Sequence, residues 1–136
     1  MRILLLFVLS VFCSPAAWAQ DAPAPPEYAG TYAGKAPCAD CKIIEAELEL
    51  HYGTDTSGEF ALREKYVRES CVSMVSRRKG DWVRVFEPKL GTLIVLDNDV
   101  PDKTSYYLFK KDGSLLPLDK ELNKLGDGVE RTLVKK

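Results

Sequence analysis

The residues best suited to chemistry sit in one short run, Pro37-Cys38-Ala39-Asp40-Cys41. Two cysteines three apart can close a tight disulfide, cycle between thiol and disulfide, or clasp a soft metal ion. A redox catalyst of thioredoxin type needs such a motif at a helix N-terminus, where the dipole stabilises a thiolate. The residues that follow alternate apolar and polar, so the motif opens a strand and that activation is missing. Three readings stay open. One is a structural disulfide, one a reversible thiol switch, and one a Cu(I) site at Cys38 and Cys41 in the reduced state only. Thiolates suit Cu(I), whereas an oxidised pair offers it nothing.

The remaining reactive side chains form no catalytic constellation. Cys71 and Met74 are soft donors, but alternate residues of a strand face opposite sides, so they do not converge. They read as one buried thiol and one core thioether. His51 lies on the polar side of its strand beside Glu49, solvated and without a second histidine to share a metal. Glu45, Glu47 and Glu49 line one strand face opposite Arg63 and Lys65, an arrangement that cross-strand charge pairing explains. Ser70, Ser73 and Ser76 lack a nucleophile elbow. No Gly-rich phosphate loop is present. No catalytic residue is assigned, and the chain reads as a non-enzyme.

The elements that carry these residues are strands. Residues 44–52 place Ile44, Ala46, Leu48, Leu50 and Tyr52 on one side and Glu45, Glu47, Glu49 and His51 on the other. Helical spacing would mix the two sets. Gly53 to Gly58 closes a hairpin, and Phe60, Leu62 and Tyr66 continue a second long strand. Further strands are expected at 71–77, 82–87, 92–97, 104–110, 114–118 and 129–134, with 92–97 read as a second period-two run. Turn signals separate them at Lys79-Gly80-Asp81, Pro88 to Gly91, Asp97 to Asp102 and Lys111-Asp112-Gly113. Residues 119–125 make at most one short turn. The aromatic residues fall mostly on strands and read as core. Short strands at regular spacing predict an all-β fold, a small antiparallel meander closed into a β-barrel. Closure also removes exposed edges.

Composition bounds the rest. The chain has 136 residues. Met1-Arg2, an apolar run from Ile3 to Phe12 and the ending Ala17-Trp18-Ala19 have the layout of a signal peptide over residues 1–19. Its removal leaves 117 residues, the size of one domain. Residues 20–27 are a Pro- and Ala-rich tether, and 28–136 form the barrel domain. The alternative at the N-terminus is lipidation at Cys13 and outer-membrane anchoring, but bulky Phe12 precedes that cysteine. The favoured product begins at Gln20 and is soluble in the periplasm or outside the cell. Three cysteines remain in it, an odd number for an oxidising compartment. Parity and proximity favour pairing Cys38 with Cys41 and leaving Cys71 free; the rival links Cys71 to one motif cysteine. Without Arg2, 18 Lys and Arg face 20 Asp and Glu. That balance argues against nucleic acid as partner and gives no polybasic membrane patch. After residue 19 no apolar run approaches the roughly 18 residues of a membrane span.

In order, these residues resemble the NlpE family, the N-terminal domain of the copper-resistance lipoproteins. The stretch from Tyr28 to Cys41, YAGTYAGKAPCADC, is similar to the family's aromatic-rich G-x-Y-x-G opening followed by P-C-A-D-C. Gly80-Asp81-Trp82 resembles its G-x-W step, and Leu115 to Asp119 its late L-x-x-L-D element. The resemblance spans nearly all of residues 28–125. It implies a lipocalin-like barrel in the bacterial envelope, with Cys38 and Cys41 as the family's C-x-x-C. It also implies a link to copper tolerance or envelope-stress signalling, with an envelope signalling or outer-membrane protein as partner. Copper is the one cofactor this admits. Cys71 lies outside the resembling motif. Two other readings are a secreted barrel that inhibits a hydrolase such as lysozyme, and a carrier of a small apolar ligand.

Overall fold

The computed structural model describes residues 27–38, 41–69, 73–125 and 131–136. Eight strands follow in chain order: β1 Gly30–Ala36, β2 Ile43–Leu50, β3 Ser57–Val67, β4 Met74–Glu87, β5 Gly91–Leu96, β6 Ser105–Phe109, β7 Leu115–Leu118 and β8 Val134–Lys135. Every consecutive pair from β1 to β7 is antiparallel, and β8 returns to pair with β1. The sheet order is therefore β7-β6-β5-β4-β3-β2-β1-β8. Leu133, just before β8, bridges to Leu115 at the start of β7 and brings the two ends together. The result is the nearly closed, all-β meander barrel that the sequence predicts.

Alternation builds the interior. Tyr32, Leu48, Leu50, Phe60, Leu62, Trp82, Ile94, Leu96, Leu115 and Leu133 pack into one buried cluster. The Trp82 indole, fully buried, donates from Nε1 to the His51 carbonyl at 2.9 Å, so its polar atom is satisfied. Gly58 makes room for that bond: a Cβ there would lie 2.7 Å from Trp82 Nε1. Tyr28 closes this end of the barrel, set edge-on to Trp82 at 5.3 Å and to Phe109 at 6.3 Å.

Several sequence expectations change in detail. Lys79-Gly80-Asp81 is not a turn, because β4 runs through it unbroken for 14 residues. Gly80 is there for close approach: a Cβ would collide with Asp97 Oδ1 and lie 2.9 Å from Phe60 Cε1. β5 does not alternate, since Leu93, Ile94, Val95 and Leu96 are all buried. Its outward residues Leu93 and Val95 join Leu116 and Leu118 in a second apolar cluster, against which Val83, Tyr106, Leu108 and Leu122 pack. Residues 30–36 form a strand that no sequence signal had singled out. Met74 is no core thioether; it is 54% exposed at the start of β4. Phe86 is likewise no core aromatic and is 72% exposed.

Candidate functional site

The register places the cysteine motif at one end of the barrel. β1 ends at Ala36 and β2 begins at Ile43, so residues 37–42 make the β1–β2 connection. Cys38 and Cys41 are joined there by a disulfide with Cα atoms 5.2 Å apart. Cys41 Sγ lies 3.7 Å from the Ile43 carbonyl, and the Lys42 amide donates to the Val67 carbonyl at 2.8 Å. The clasp is thus tied to both β2 and β3. Both cysteines are half-buried, which leaves the disulfide open to reductant. Cys71 lies outside the described residues, and so do Ala39, Asp40 and the proposed leader and most of the tether.

His51 stands just past the other end of β2, whose own length is roughly 23 Å at the rise of an extended strand. It faces Glu49 at 3.2 Å in solvent and cannot complete a metal site with the cysteines. Among the described residues no three His, Cys, Asp or Glu side chains gather as metal ligands. Among the described residues, the donor set that would fit Cu(I) is the Cys38–Cys41 pair in its reduced form, and the oxidised clasp does not fit it.

The carboxylate row follows the expected register, with Glu45 opposite Lys65 and Glu47 opposite Arg63. Arg63 in turn stands opposite Arg77. Glu47 makes its ion pair with the C-terminal Lys136, and that hydrogen bond holds its carboxyl below the usual range. Glu47, Glu49, Arg63 and Arg77 line a broad, open trough of about 680 Å³ across β2, β3 and β4, charged with both signs.

The disulfide end of the barrel interior is different from the Trp82 end. Here charged and polar groups enter an apolar lining: Glu64, Tyr107 and Arg131 join Ala36, Ile44, Ala46 and Leu62 around a recess of about 170 Å³. The Tyr66 hydroxyl donates to Glu64 at 2.8 Å, which raises the tyrosine's pKa. Burial, with the Glu64 charge adding to it, pushes Tyr107 up to about 12, so its phenol stays protonated at physiological pH. Arg78 spans the nearby wall, 2.9 Å from Ser105 Oγ and 3.5 Å from an Asp97 carboxylate oxygen. Sequence marked Tyr66 and Tyr107 only as strand aromatics of the core and did not single out Glu64, Arg78 or Arg131, because the recess gathers residues from strands far apart in the chain.

The model of the NlpE N-terminal domain matches residues 32–127. This chain belongs to the NlpE N-terminal domain family. Two solved structures resemble it. A putative lipoprotein from Shewanella oneidensis has a TM-score of 0.58 and 27% identity, over 83% of this chain and 96% of that one. The Cpx pathway activator NlpE from Escherichia coli has a TM-score of 0.50 and 32% identity, over 74% of this chain. This chain spans 46% of the length of the Escherichia coli protein. No curated protein matches it. Among the described residues no helix is long and apolar enough to cross a membrane.

Proposed function

We propose that this NlpE-family barrel is a non-enzymatic sensing module of the bacterial envelope, and that the Cys38–Cys41 clasp is its responsive part. The observation that carries the reading is the accessible disulfide at the barrel rim, held between β2 and β3. The names of the two solved relatives, a lipoprotein and a Cpx pathway activator, support an envelope setting and a signalling partner.

Loop length decides whether such a clasp can open without unfolding the barrel. Cross-linking a four-residue loop restricts the unfolded chain by about 2 kcal/mol, against about 3 kcal/mol for a 15-residue loop. A domain typically keeps 5–15 kcal/mol of stability. Reduction therefore frees the β1–β2 connection while the core persists. The reduced pair then presents two soft thiols, and copper(I) bound there would hold the connection in an open form. Failed disulfide formation leaves the same two thiols free. Both stresses thus converge on one state of one loop, which a partner can read.

The test is a Cys38→Ser, Cys41→Ser chain in cells, scored for copper tolerance and for an envelope-stress reporter. The reading expects both responses to disappear while the protein accumulates normally. Full responses from the double variant would overturn it.

One observation favours a second reading, inhibition of a hydrolase through an inserted loop. The end of β4 and the β4–β5 connection carry the exposed Phe86 and Leu90 on either side of Pro88. Phe86→Ser would abolish such inhibition and leave copper and stress responses intact. The apolar-carrier reading gains no such support, because the apolar half of the interior is filled by Tyr32, Leu48, Trp82, Ile94 and Leu96, each without exposed surface.

A further inference from the structure

The recess at the disulfide end has the makings of a binding site in its own right. Among the described residues, its floor is apolar, from Ile44, Ala46 and Leu62, its walls carry the charges of Glu64 and Arg131, and Lys35 stands at the rim. Glu64 receives one hydrogen bond, from Tyr66, which leaves further acceptor positions on its carboxylate. Arg131 has its Nε buried with no acceptor, and it forms no ion pair with a described carboxylate. A buried guanidinium nitrogen without an acceptor is costly, and native structures rarely keep one without a ligand, ion or water to satisfy it. Tyr107 adds a phenol at the same wall. By register Lys35 faces Glu45 on the neighbouring strand.

We propose that this recess binds a small zwitterion of the free amino-acid class, with its carboxylate on Arg131 and its ammonium group on Glu64. Among the described wall residues the charge count supports this over a plain anion or cation, since each would leave Glu64 or Arg131 unmatched. Size agrees as well. About 170 Å³ is the space of five or six waters in the liquid, enough for an amino acid with a small aliphatic side chain. That side chain would lie against Ile44, Ala46 and Leu62. The site uses no cysteine, so it stands or falls apart from the thiol reading.

The experiment is calorimetric titration of the oxidised chain with L-valine, with isobutyrate and isobutylamine as the two half-ligands. L-valine should bind, and each half-ligand should bind at least tenfold more weakly. Arg131→Met should weaken L-valine at least tenfold. Ala46→Leu, which fills the floor without touching a charge, should block binding and keep the barrel folded even if Arg131→Met does not. Absence of L-valine binding at millimolar concentration would overturn the proposal. So would equal binding of isobutyrate, or full binding by the Ala46→Leu chain.

Discussion

Leu115 and Leu133 exchange backbone hydrogen bonds in both directions, at 2.9 and 2.8 Å, and this single pair joins the two ends of the sheet. It links β7 to the segment that becomes β8, and so turns an open meander into a nearly closed barrel. Both leucines also point into the buried cluster.

That role makes Leu133 more consequential than its place near the C-terminus suggests. Leu133→Ala should cost about 2–4 kcal/mol in urea unfolding, the range for truncating a buried leucine. A loose tail would tolerate the change within about 0.5 kcal/mol. The smaller value would mean that the C-terminal segment does not close the barrel.

Gly80 offers a second check on the fold. If it sat in a solvated turn, Gly80→Ala would be close to neutral. Within β4 the new methyl group meets Asp97 and Phe60, so a loss of about 1–3 kcal/mol is expected from overpacking. The melting temperature should fall accordingly.

The Glu47–Lys136 pair gives a pH signature. Lys136 lowers the folded pKa of Glu47 beneath its ordinary 4.5. The contribution is therefore full above the unfolded value and disappears as pH falls through the lower folded value. Both groups are partly exposed, so solvent screening keeps the contribution below about 1 kcal/mol. Glu47→Gln should remove that part of the acid sensitivity, and high salt should do the same to the wild type. An unchanged acid profile between pH 5 and pH 2 would contradict the pairing.

Much of this architecture could be read from the chain because one face of most strands is buried. The run from Ile44 to Leu50 alternates and forms most of β2, but the strand stops short of the expected Tyr52, which is exposed. β5 is apolar on both faces, so its four buried residues hide the alternation while still marking a strand. Gly80 misled because a glycine that makes space in a sheet looks, in sequence, like one that makes a turn. Sequence places the last strand at 129–134, whereas β8 is Val134–Lys135, two residues whose place is set by a partner about 100 positions earlier. The cysteine motif was visible as a short run. The recess was not, since Glu64 and Arg131 are distant in sequence and become neighbours only when the sheet closes.

The clasp itself should contribute modestly. Cys38→Ser with Cys41→Ser is expected to lower stability by about 2 kcal/mol and leave a folded barrel. Near-ultraviolet circular dichroism, which reports the packed surroundings of Trp82, should keep its shape. Loss of that signal would mean that the disulfide is needed for folding.

The most direct test of the account is thiol labelling under native conditions during a titration with mild reductant, read by intact mass and peptide mapping. The account predicts that Cys38 and Cys41 become labelled together while the tryptophan signal and the melting transition persist. Labelling of the pair only as the barrel unfolds would contradict it, because the clasp would then be a structural staple and not a switch.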